Sequence, residues 1–147
     1  MGRTLRMGIA AALLAGGAAS LAAVPAGADQ AAVAASGCIA TVTRLQALDL
    51  QEPPQDEVYL IFGDSRFPSS GSVTFTNLLT RPGSQLGNPA KFVPAGERVT
   101  LAGREADFPS PDDSLGSAGI GCGSPPVVDL HGSMSVYRAW MSYTLVP

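Results

Sequence analysis

Glu105, Asp107 and Asp113 stand at acid-x-acid-x5-acid spacing in the segment Glu-Ala-Asp-Phe-Pro-Ser-Pro-Asp-Asp-Ser-Leu-Gly, residues 105–116. With Asp112, four carboxylates fall within nine positions. Like charges this close repel one another unless open solvent or a hard cation screens them. Calcium takes roughly six to eight oxygen ligands, typically carboxylates on a flexible loop. A second acidic segment holds Asp49, Glu52, Asp56 and Glu57, so the two segments carry eight of the chain's twelve acids. The chemistry to expect is coordination of a hard cation where two loops meet. The competing expectation is a solvated surface turn, because Pro109, Ser110 and Pro111 favour turns and aspartates cap turn backbone without any metal.

Strands must position these loops. Cys38 to Leu48 alternates in polarity, Val58-Tyr59-Leu60-Ile61-Phe62 is a continuous apolar run, and Ser72–Thr76 and Arg98–Leu101 alternate again. Near the C-terminus, Tyr137, Ala139, Met141, Tyr143 and Leu145 share one parity and read as the buried face. Val136, Arg138, Trp140, Ser142 and Thr144 share the other, which leaves Trp140 either on the surface or packed under a disulfide. Val127–His131 precedes this strand, with Gly132-Ser133 as the hairpin turn. Beyond the first 28 residues no stretch keeps a 3.6-residue apolar period, and 12 prolines and 17 glycines punctuate the chain. The pattern predicts an all-β antiparallel sandwich of about eight strands.

Residues 1–28 read as a signal peptide. Arg3 and Arg6 precede an Ala/Leu-rich run over Ile9–Val24, and Ala26-Gly27-Ala28 forms a small-x-small cleavage site. Residues 29–36 read as a linker and 37–147 as one β-sandwich domain. The expected location is therefore extracellular, after cleavage near Ala28. Cleavage leaves seven basic against twelve acidic residues, a net charge of about −5. Such a surface has no basic patch to displace the counterions of nucleic acid, and it disfavours anionic membranes. Cys38 and Cys122 are the only cysteines, and in an exported chain an even pair predicts a disulfide.

The third-loop frame resembles that of calcium-dependent C-two domains, which are eight-stranded β-sandwiches that bind the metal on apical loops. Their third loop carries Asp-x-Asp-x5-Asp followed by an aliphatic residue and glycine. Glu105-Ala106-Asp107 and Asp113-Ser114-Leu115-Gly116 follow that frame, with Glu for the first Asp. Asp56-Glu57-Val58-Tyr59-Leu60 is similar to the end of the family's first loop, with one extra residue, and Asp49 or Glu52 would be the other first-loop ligand, neither at the family's usual spacing. The resemblance implies calcium ligation by Glu105, Asp107, Asp113 and Asp56, with Asp112 peripheral. The lysine-rich strand of lipid-binding members is missing, since Lys91 is the only lysine. Asp56–Leu60 with the later Asp-Asp-x-Leu-Gly also resembles small secreted actinobacterial proteins.

Two other functions compete. In one, a metal-free module uses its loops or the Trp140 strand to bind an extracellular protein or a cell-wall polymer. In the other, Ile61-Phe62-Gly63-Asp64-Ser65, which resembles the nucleophile block of GDSL esterases, works with Asp129 and His131 as a triad. Those esterases are helical α/β proteins with Asp-x-x-His, whereas Asp129-Leu130-His131 is one residue short. The leading expectation is a non-enzymatic sandwich with calcium-binding apical loops.

Overall fold

The computed structural model describes residues 36–107 and 109–147. The expected leader, and all of the expected linker but Ser36, lie outside them. Ten strands are formed: β1 Gly37–Asp49, β2 Gln55–Phe62, β3 Ser65–Phe67, β4 Val73–Thr76, β5 Thr80–Pro82, β6 Ala90–Pro94, β7 Val99–Glu105, β8 Ser114–Ile120, β9 Val127–His131 and β10 Val136–Val146. A 3-10 turn spans Gly83–Leu86.

Two antiparallel sheets result. In the first, β1 pairs with β10, β10 with β9, and both β5 and β6 lie along the other edge of β1. In the second, β2 pairs with β7, β7 with β8, and both β3 and β4 lie along the other edge of β2. The ten segments thus fill eight positions, because one outer position of each sheet is an interrupted strand. Pro68 and Gly71 lie in the interruption of one. The 3-10 turn lies in the other, where Gly83 is held so tightly that a Cβ would stand 2.3 Å from the Val42 carbonyl oxygen.

Alternation along each strand builds the core. Ala40, Val42, Leu45, Ala47, Tyr137 and Ala139 of the first sheet face Val58, Leu60, Phe62, Phe75, Leu101, Leu115 and Ile120 of the second, all buried. The short strands β3, β5 and β6 and the Gly/Ser-rich β8 carry too weak an alternation to have been expected from the sequence. Leu145 corrects the parity reading: it is 70% exposed, because the buried face of β10 ends at the half-buried Tyr143. The β9–β10 turn closes where the Gly132 amide donates to the Ser135 carbonyl at 2.9 Å. Trp140 lies on the solvent face, with the Arg44 guanidinium 4.6 Å from its ring centre.

Cys38 and Cys122 form the expected disulfide, with Cα atoms 5.8 Å apart. Cys38 opens β1 and Cys122 follows β8, so the bridge ties one sheet to the other at the end remote from the acidic loops. It closes a sequence separation of 84 residues, for which chain-entropy reasoning gives about 4 kcal/mol. Replacing both cysteines by serine should lower the unfolding free energy in urea by about that amount. An unchanged midpoint would contradict this role.

Candidate functional site

The loop between β1 and β2 and the loop between β7 and β8 leave the sandwich at the same end. Antiparallel pairing of β2 with β7 places Val58 opposite Glu105. Asp56 is therefore the diagonal neighbour of Glu105 on the inward face. Both acids are enclosed, with Asp56 0% and Glu105 1% exposed. The strand ends that border the acidic loops thus send two carboxyl groups into the open end of the core instead of leaving all of the acids in solvent.

Asp56 is fully engaged by donors. Its Oδ2 accepts from the Gln51 amide at 3.0 Å and from the Tyr137 hydroxyl at 2.5 Å, and its Oδ1 accepts from the Glu52 amide at 2.9 Å. Three bonds of this kind offset the desolvation of a buried carboxylate. They also fold the first loop around Asp56, where the Gln55 amide closes a turn on the Glu52 carbonyl at 3.1 Å. Tyr137 reaches across from the first sheet, and its ring meets Phe75 edge-on at 5.7 Å. Burial and the bond to Asp56 raise its hydroxyl pKa well above the ordinary tyrosine range.

Glu105 is held differently. Its Oε2 is buried and has no hydrogen-bond partner. Its pKa is pushed up to about 8, first by burial and then by the charges of Asp56, Asp107 and Glu52. Glu52, Glu105 and Asp107 bring carboxylate oxygens within 4.8 Å of one another, a group able to hold a metal ion. All of the donors are oxygen, which suits a hard cation and gives zinc no sulfur or nitrogen ligand.

The remaining acids of the sequence frame lie elsewhere. Asp113 Oδ2 accepts from Gln51 Nε2 at 2.6 Å, so it bridges the two loops. Asp112 Oδ2 accepts from the Tyr59 hydroxyl at 2.6 Å and Oδ1 from the Asp107 amide at 3.3 Å. The Tyr59 bond is the main cause that lowers the Asp112 pKa, and Arg66 stacks 3.9 Å from the centre of the same tyrosine ring. The base of the third loop is pinned by the Glu105 amide to the Asp113 carbonyl at 3.0 Å and the Ala106 amide to the Glu57 carbonyl at 2.7 Å.

Of the residues expected to gather, Glu105 and Asp107 do so, and Glu52 is the third member. Asp56 sits beneath them as a brace, Asp113 links the loops, and Asp112 faces Tyr59. Leu115 and Gly116 of the same frame have packing roles. Leu115 is in the core, and a Cβ on Gly116 (φ +104°) would lie 2.4 Å from the backbone of His131. Tyr137 and Gln51 were missed as site residues. A tyrosine on the buried parity needs a partner for its hydroxyl, and that need was the available signal.

The esterase residues take other partners. Ser65 donates to Asp64 at 3.2 Å, and Asp129 accepts both of its 2.8 Å bonds from Arg138. Among the described residues no hydrogen bond joins Ser65, Asp129 and His131. No protein-family model and no curated protein matches the chain.

The Glu105 geometry sets a pH dependence for the metal-free protein. Its folded pKa of about 8 lies above its ordinary 4.5, so the folded state holds a proton that the unfolded chain releases. The resulting stability is fully present below pH 4.5 and is lost as pH rises through about 8, by at most about 1.4 kcal/mol per pH unit. Glu105→Gln should flatten urea-unfolding stability across this window. Parallel pH profiles for the two proteins would contradict the assignment.

Proposed function

We propose that the chain is an exported, non-enzymatic domain of the C-two-like kind that binds calcium on its apical loops through Glu52, Glu105 and Asp107. The observation that carries this reading is the buried, unpartnered Glu105 Oε2 at the edge of a three-carboxylate group. An isolated buried carboxylate is costly, and either a proton or a cation relieves it. Calcium suits an all-oxygen site of this charge, and water completes its ligands.

Eight strand positions in two layers support the family reading, as does the placement of the two acidic segments on loops that leave one end. The ligand set departs from the family's frame at two places. Glu52 takes the first-loop role that Asp56 would have, because Asp56 is bonded to Tyr137 and the loop backbone. Asp113 is bonded to Gln51. Export is supported by the basic, apolar and small-residue succession of the first 28 residues and by the disulfide.

Calorimetric titration with calcium should give a saturable heat. Calcium at about 100 times its dissociation constant should add about 2.7 kcal/mol of stability. Asp107→Asn or Glu52→Gln should weaken binding about tenfold or more, whereas Asp113→Asn should weaken it less, since that residue acts through Gln51. No heat and no thermal shift at millimolar calcium would overturn the proposal.

A further inference from the structure

The first loop has a second side. Away from Gln51 and Glu52, a cleft of about 470 Å³ opens between Asp49, Leu50, Pro53 and Pro54 on one wall and Thr76 and Asn77 on the other. Its volume lies within the usual range for small-molecule sites, and its surface is mainly apolar with a few polar groups. Both walls are fixed by the fold. Asp56 binds the Gln51 and Glu52 amides behind one. The opposite turn is closed by the Leu79 amide on the Thr76 carbonyl at 3.0 Å and tied to β1 by the Ala47 amide on the Leu79 carbonyl at 3.1 Å. A cleft with fixed walls loses little ordering entropy when a ligand enters.

Charge and polarity select the ligand. The lining contains one acid, Asp49, and no basic residue. Among the described residues, the side chains of Asp49, Thr76 and Asn77 make no hydrogen bond to the protein, so a carboxylate, a hydroxyl and an amide remain free to bind a guest. Both acidic segments leave the sandwich at this end, which gives it a negative potential that attracts cations and repels anions. Leu50, Pro53 and Pro54 offer an apolar wall to an aliphatic stem.

We propose that this cleft binds a small alkylammonium, with its apolar stem against Leu50, Pro53 and Pro54 and its ammonium near Asp49, Thr76 and Asn77. This site is separate from the calcium group, and it takes an organic cation where that group takes a hard one.

The probe is n-hexylammonium, titrated into the full mature domain with calcium held saturating and followed by amide chemical shifts. Saturable shifts are expected at Leu50, Gln51, Thr76 and Asn77. Hexanol and hexanoate test the charge: hexanol should bind about fivefold more weakly, the scale of one exposed ion pair, and hexanoate should not bind. Asp49→Asn should weaken n-hexylammonium by about the same factor. Thr76→Lys, at an exposed position, should abolish binding by placing a tethered ammonium in the cleft. Equal binding of hexanol and n-hexylammonium, shifts confined to Glu52, Glu105 and Asp107, or full binding by the Thr76→Lys protein would each overturn the proposal.

Discussion

The apical end of this sandwich is organised by the Asp56 carboxylate. It lies inside the core opening and accepts from the Gln51 and Glu52 amides and from the Tyr137 hydroxyl. These three bonds join the first loop to its own strand and join one sheet to the other. Without them the loop would have no reason to curl inward, and Glu52 would not be carried to Glu105 and Asp107. Glu105 lacks such donors, although it is almost equally enclosed. Two buried acids side by side therefore receive unequal support, and the less supported one faces the loop carboxylates. That asymmetry leaves Glu105 Oε2 without a partner beside Glu52 and Asp107, in a group able to hold a metal ion.

Charge is distributed with corresponding economy. Tyr59 and the Asp107 amide hold Asp112 on the outer side, Gln51 holds Asp113 between the loops, and Glu52, Glu105 and Asp107 close on one point. Segregating the others lowers repulsion within the group and gives the loops a defined shape before any ion arrives. The disulfide acts at the other end, where it joins the layers covalently. The sandwich is thus held across its layers at both ends, by a sulfur bridge at one and by Tyr137–Asp56 at the other.

The sequence disclosed the fold more readily than the site. Strands with strong alternation or apolar runs, such as β1, β2 and β10, were legible because each sends alternate residues into one core. β8 was obscured by its glycines and serines, and Gly116 is needed there for close packing on His131 rather than for pairing. Acid spacing pointed to the two segments whose carboxylates meet, since charge crowding is a local property. It could not choose between Asp56 and Glu52, because that choice depends on Tyr137, more than eighty residues away in the chain. Nor could spacing show that Asp113 would meet Gln51, a contact made only when β2, β7 and β8 are paired and bring the two loops together.

The central claim is that Glu105 exchanges a proton for a cation, and the most direct test counts the protons released as calcium binds. Calorimetry at about pH 7 in buffers of different ionisation enthalpy measures this number. The account predicts release of nearly one proton per calcium at that pH, falling toward zero above about pH 9 as Glu105 deprotonates in the free protein. Calcium binding at pH 7 with no proton released would contradict it.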